Sequence, residues 1–255
     1  MKNMTALITG AGSGIGFGVA QSLAEKGANI IITDMNDEAV LSAQQKLAEK
    51  GLTARGIKLD VTNEQDIENL LAALADTTVD ILVNNAGIQH VSRLEDFPMN
   101  VWQKIVDVLL TGPARTCKAF MPKMRENGFG RIINIGSIHG LVASPYKSAY
   151  VAAKHGLIGF SKVIALETSD TDITINTICP AYVKTPLVEK QIKDQAQQHG
   201  ISEEDVINKI MLEPMPKKSF IDIDEICATV CFLASKEARN MTGQALVLDG
   251  GWTVK

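Results

Sequence analysis

Thr9-Gly10-Ala11-Gly12-Ser13-Gly14-Ile15-Gly16 lies between a short apolar run, Met4–Thr9, and a segment of helical spacing, Ile15–Glu25. Glycines at such a junction permit positive φ and let the backbone approach a ligand closely. The start of the following helix presents N–H groups with no partner, which favours an anion such as pyrophosphate. A glycine triplet alone is weak evidence and could be a flexible turn. Placed between a strand and a helix, it becomes specific for a dinucleotide.

Outward from this loop, apolar runs alternate with helical patterns. Asn29–Thr33 is a second strand that stops at Asp34. Asp37–Lys50 reads as an amphipathic helix, Thr53–Leu59 as a weaker strand, Glu64–Ala75 as helix and Val79–Val83 as strand. A long helical stretch, Met99–Glu126, contains Gly112-Pro113 and Pro122 and is expected to kink or break there. Arg131–Ile135, the helix Ser148–Leu166, the strand Ile173–Ile178, the helix Asp222–Ala234 and the strand Ala245–Leu248 complete the series. Strands alternating with helices of this length predict an α/β fold: one Rossmann-like, doubly wound parallel sheet spanning residues 1–255 as a single domain. Residues 181–220, with Pro186, Pro214 and Pro216 among polar helical pieces, break the rhythm and predict a helical lid.

The 255 residues are 45% hydrophobic, enough for a sizeable core, and carry a net charge of −4 with both signs interspersed. No basic stripe suits a nucleic-acid backbone, and no apolar run is long enough to span a bilayer. Met1-Lys2-Asn3-Met4 lacks the pattern of a signal peptide, so a soluble cytoplasmic protein is expected. Cys117, Cys179, Cys227 and Cys231 are scattered and predict neither a disulfide framework nor a metal site. Cys227 and Cys231 share a helix face without a matching Cys or His pair, so helix packing is their expected role.

Asp34 follows the glycine loop by about 20 residues, where a carboxylate can accept from adenosine ribose hydroxyls and repel a 2′-phosphate. The next residues are Met35, Asn36 and Asp37, with no arginine to reverse that preference. NAD is therefore expected over NADP.

Tyr150 and Lys154 are four residues apart in a predicted helix, so they share one face, a turn apart. An ammonium beside a phenol favours the phenolate and is expected to lower the tyrosine pKa, making the pair a proton-transfer device. The alternative is a buried tyrosine next to a surface lysine.

Together these motifs, with Asp60-Val61, Asn84-Asn85-Ala86-Gly87, Ser137 and the turn Pro180–Pro186, resemble the short-chain dehydrogenases/reductases over essentially the whole chain. The resemblance implies a hydride-transfer enzyme, commonly a homotetramer. Tyr150 would be its acid/base, Lys154 would tune Tyr150 and hold the nicotinamide ribose, and Ser137 would bond the reacting oxygen. It also implies that Gly10, Ser13, Gly14, Ile15, Gly16 and Asp34 hold the dinucleotide and that Asp60 and Val61 lie near the adenine. Asn85, Ala86 and Gly87 would line the groove, Pro180 would join the cofactor surface, and Val183 and Thr185 would meet the nicotinamide amide. One departure stands out. The family usually has an asparagine in a pattern like Asn-Leu-x-Gly, and here Leu109 takes its place. Ala181 also stands where a glycine is common.

A narrower resemblance concerns the branch of that family that oxidises D-3-hydroxybutyrate to acetoacetate. It rests on Gly87-Ile-Gln89-His90, Glu95–Pro98, Gly128–Ile135, His139–Ser144, Lys147–Tyr150 and Pro186–Gln191. It implies that Gln89, His139, Lys147 and the lid residue Gln191 anchor a small carboxylate. The chemistry agrees, since a cation and several donors at the carboxyl ends of the strands are what a carboxylate needs. Tyr182 and Trp252 could wall the pocket or simply pack. Two other functions compete: a dehydrogenase of another small hydroxy acid or alcohol, and a non-catalytic NAD-binding regulator, which only Leu109 favours.

Overall fold

The computed structural model describes residues 1–254, apart from the side chains of Leu187, Gln198 and His199. Its frame is a parallel sheet with strand order β3-β2-β1-β4-β5-β6-β7. The first half comprises β1 (Thr5–Ile8), α1 (Gly14–Glu25), β2 (Asn29–Asp34), α2 (Asp37–Ala48), β3 (Ala54–Lys58), α3 (Glu64–Ala73) and β4 (Ile81–Asn84). The crossover to the other side of β1 comes between β3 and β4. There follow α4 (Met99–Val106), α5 (Gly112–Asn127), β5 (Phe129–Ile135), α6 (Ser148–Glu167), β6 (Asp172–Pro180), α7 (Pro186–His199), a single turn α8 (Glu203–Asp205), α9 (Ile223–Leu233) and β7 (Ala245–Leu248). The sheet order reverses between β1 and β4, the place where open α/β sheets leave a crevice for a ligand.

Both faces of the sheet are covered, so its central strands are apolar on both sides. Leu7, Ile31, Leu82, Ile132 and Ile175 pack under α3, α5 and α6. Ile8, Ile30, Ile32, Val83 and Ile133 pack under α1 and α9. This is the period of two expected of strands buried on both faces.

The predicted break in Met99–Glu126 occurs as a π-helical turn, Asp107–Thr111, between α4 and α5. The backbone stays helical through that turn, with Pro113 at its C-terminal side and Pro122 further along α5. Segment 181–220 is more ordered than its prolines suggest. A parallel bridge, Val183 to Ile221, closes its base. α7 and a second π turn, Val206–Met211, pack around Val188, Ile192, Val206 and Met211.

Polar side chains tie the centre of the sheet to its helices. Thr116 of α5 donates to Asn84 (2.6 Å), Asn84 to Asn134 (2.8 Å), and Asn134 to Ser161 of α6 (2.9 Å). Each is buried and paired, as buried polar groups must be, and the chain of bonds fixes α6 over β4 and β5. Cys227 and Cys231 are buried. No helix among the described residues is long and apolar enough to cross a membrane.

Candidate active site

A cleft of about 440 Å³ opens along the carboxyl ends of the strands. Among its lining residues are Gly10, Ser13, Gly14, Ile15, Asp34, Asp60, Val61, Asn85, Ala86, Gly87, Gln89, Ser137, His139, Lys147, Tyr150, Lys154, Pro180, Val183, Thr185 and Gln191. The predicted residues therefore converge on one cavity, with one exception. Gly16 lies behind the loop, where a Cβ would collide with Asn85 Nδ2 and the Gly10 carbonyl. Its lack of a side chain serves the packing of α1 on the loop and does not face the cleft.

At the glycine loop the construction is mostly backbone. Gly10 has φ +61°, and a Cβ there would lie 2.8 Å from Ala86 Cα. Ser13 caps α1 without a side-chain bond, and the first turn of α1 holds no acidic residue. The Thr9 hydroxyl accepts from the backbone N–H of Asn85 and of Ala86, both at 3.0 Å. The Asn85 amide donates to the Thr9 and Gly10 carbonyls, each at 2.9 Å. Asn85 thus staples β4 to the loop, and Thr9 is a positioning residue that the motif contains but that the glycines overshadow. Asp34 accepts from Gly12 N (3.2 Å) and Asn36 N (3.1 Å), which holds its carboxylate at the rim. Asp60 accepts from the Thr62 backbone and hydroxyl. Open helix N–H groups beside a rim carboxylate fit a pyrophosphate and an adenosine ribose.

At the other end side chains dominate. Ser137 caps a short turn, Ile138–Gly140, and its hydroxyl accepts from His139 N at 3.2 Å, leaving its own O–H to donate into the cleft. Lys154 is buried and donates to the Ile135 carbonyl at 2.6 Å, its ammonium 5.7 Å from the Tyr150 ring centroid. The expected lowering of the Tyr150 pKa is not what this environment produces. Burial pushes the phenol up, and the facing Ser137 hydroxyl only partly offsets it. Burial also brings Lys154 down to about 8. The helical spacing places the pair correctly, but desolvation of the phenol sets the direction of its shift.

Lys147 is 4% exposed, its ammonium 3.3 Å from His139 Nε2 and 3.1 Å from the Tyr182 hydroxyl. Burial lowers it to about 8. Burial, and secondly the Lys147 charge, lower His139 to about 4, so its ring is neutral at pH 7. Gln191 of α7 donates to Gln89 Oε1 at 3.2 Å, while Gln89 Nε2 is buried without a partner. Leu109, 1% exposed, lies in the π turn against Gly87. The cleft also takes in Lys104 of α4 and Tyr182, the first unmarked by any sequence motif. A neutral donor set around one buried cation, next to a hydroxyl pair, can bind a carboxylate and move a proton from a neighbouring hydroxyl.

Comparison with known proteins agrees with this layout. The chain matches the family described as enoyl-(acyl carrier protein) reductase over residues 10–253. It is 46% identical to the D-beta-hydroxybutyrate dehydrogenase of Rhizobium meliloti, covering 98% of this chain and 99% of the relative. It is 45% identical to the enzyme of that name from Cupriavidus necator, covering 100% of each. A solved actinorhodin polyketide ketoreductase variant with NADPH superposes with TM-score 0.94 at 32% identity, covering 99% of both chains.

Proposed function

The chain belongs to the short-chain dehydrogenase/reductase family of oxidoreductases, and from that premise we propose that it interconverts D-3-hydroxybutyrate and acetoacetate with NAD. Membership implies a nicotinamide dinucleotide, which takes up the hydride when bound. Gly10, Ser13, Gly14 and Ile15 would hold its pyrophosphate and Asp34 its adenosine ribose. Asp60 and Val61 would lie at the adenine, Ala86 and Gly87 along the groove, Lys154 at the second ribose, and Pro180, Val183 and Thr185 at the nicotinamide amide.

The chain's own groups do the rest. Tyr150 takes the proton of the substrate hydroxyl in oxidation and returns it in reduction. Its raised pKa keeps it protonated at neutral pH, which suits the reducing direction. Ser137 donates to the reacting oxygen, and Lys154 places positive charge beneath the phenol. The observation that carries the substrate is Lys147, a buried ammonium whose partners, His139 and Tyr182, are neutral. A substrate carboxylate would supply the missing counter-charge, with Gln89 and Gln191 closing over it. Relatives named for D-beta-hydroxybutyrate support the same choice.

Asp34 supports NAD, since its carboxylate would face a 2′-phosphate with like charge. Lys58, the nearest strand-end cation, is paired with Asp37 at 3.6 Å. The related ketoreductase structure with NADPH favours the opposite cofactor. A homotetramer belongs to the same proposal, with the exposed Val163 and Leu166 of α6 as part of a subunit contact. The deciding experiment follows NADH or NADPH absorbance with D- and L-3-hydroxybutyrate, each with NAD and with NADP. Turnover is expected with the D acid and NAD. Equal or faster turnover with NADP would overturn the cofactor assignment, and no turnover of either acid would overturn the substrate.

A further inference from the structure

We propose that Tyr182 is a substrate-binding residue, its hydroxyl accepting a hydrogen bond from Lys147 while offering its own O–H to the substrate carboxylate. This rests on the carboxylate reading above and adds a residue to it.

An ammonium has three donors and no acceptor, so both neighbours of Lys147 Nζ must accept from it. For His139 that assigns the tautomer: Nε2 carries the lone pair and Nδ1 the proton. With Nε2 turned to Lys147, His139 is a brace for the ammonium. For Tyr182 the oxygen accepts from Lys147 at 3.1 Å, which leaves its hydrogen with no acceptor among the described residues. Lys147 likewise keeps one N–H free. One cation and one hydroxyl, 3.1 Å apart, therefore present two adjacent donors, which match the two oxygens of a carboxylate.

The hydroxyl is held in place by the framework. Tyr182 O accepts from Ile221 N at 2.9 Å, and Ala181 N donates to Leu248 O at 2.8 Å, so its backbone is pinned on both sides. Its ring stacks on Trp252 with centroids 6.1 Å apart and an interplanar angle of 25°. The ring of His139 meets it edge-on at 6.5 Å. Tyr182 thus sits on the stem of the 181–220 segment, and it also packs against the Val188 and Ile192 cluster of α7. Burial also pushes the phenol up to about 12, so it stays a donor throughout the working range. A neutral alcohol would leave both donors unpaired, which makes the pair a device for specificity.

Tyr182→Phe keeps the stack and removes only the hydroxyl. With wild-type enzyme turning over D-3-hydroxybutyrate, the variant should raise KM for the acid about tenfold, the loss of one charge-assisted hydrogen bond, with kcat within about threefold. KM for NAD should not move, which certifies the fold. An unchanged KM for the acid, or an equal rise in KM for NAD, overturns the role of Tyr182 and leaves the proposed reaction standing. Absence of wild-type turnover overturns the proposed reaction and this assignment with it, so the two failures are distinguishable.

Discussion

The two ends of the cleft are built differently. At the glycine loop the surface is backbone: Gly10 at φ +61°, an uncapped helix start, and Thr9 and Asn85 bonding main-chain groups. At the Lys147 end it is side chain: Gln89 follows β4, His139 follows β5, Lys147 precedes α6, Tyr182 follows β6 and Gln191 lies on α7. A backbone surface binds what every dinucleotide shares, and a side-chain surface selects one substrate. The loop end should therefore set cofactor affinity, and the Lys147 end should set only the hydroxy acid's KM. Between them sit Ser137 and Tyr150, which should act on kcat, and Lys154, which would also hold the second ribose.

The sharpest test of that division is Tyr150→Phe. Removing the one proton acceptor should cost about 10³-fold in kcat. NADH binding, read by fluorescence titration, should stay within a factor of two or so of wild type by the division above. A large loss of NADH affinity would show that the middle of the cleft is part of the cofactor surface. Next comes Lys147→Ala, which leaves a carboxylate buried without its cation. A loss of 2–5 kcal/mol is usual for such a truncation, so KM for the acid should rise by about 100-fold. KM for NAD should be unchanged. If both constants move together, the two ends are not separable.

How much of this was legible in the chain depends on how far apart the contributing residues lie. The glycine loop and the Tyr150–Lys154 pair are local patterns, so spacing alone reveals them. The strand–helix alternation is local as well, and the sheet follows from it. The Lys147–Tyr182 contact spans 35 positions and depends on β6, the Val183–Ile221 bridge and the Trp252 stack lying together. No spacing encodes that. The direction of the Tyr150 shift is hidden for a related reason: a helix face shows the ammonium neighbour but not the protein around the phenol. Gly16 belongs to the cofactor motif by position, whereas its absent side chain makes room for Asn85 and the Gly10 carbonyl. The order within 181–220 was hidden by its prolines, since Pro186 only opens α7.

The cofactor end has its own test. Asp34→Asn keeps the size of the side chain and removes its charge. The ratio of kcat/KM for NAD to that for NADP should fall by about 30-fold, through weaker ribose bonds and relief of repulsion toward a 2′-phosphate. KM for the hydroxy acid should not respond. An unchanged ratio would mean that cofactor choice is made elsewhere on the loop.

The smallest effect comes from pH, and it can assign the substrate end to a single group. Lys147 is lowered by burial to about 8, so below that pH it is an ammonium and above it a neutral amine. The groups packed against it do not titrate in that window. His139 is neutral above about 4, and Tyr182 keeps its proton up to about 12. Affinity for a competitive short carboxylate such as acetate should therefore be flat between about pH 6 and 8 and fall about tenfold per unit above it. Lys154 also lies at about 8, but it faces the Ile135 carbonyl and the Tyr150 ring. Lys147→Arg separates the two lysines, because a guanidinium stays charged throughout the range. The break should then vanish from the inhibition constant. If it persists in Lys147→Arg, Lys154 governs carboxylate binding and the boundary between the two ends must be redrawn.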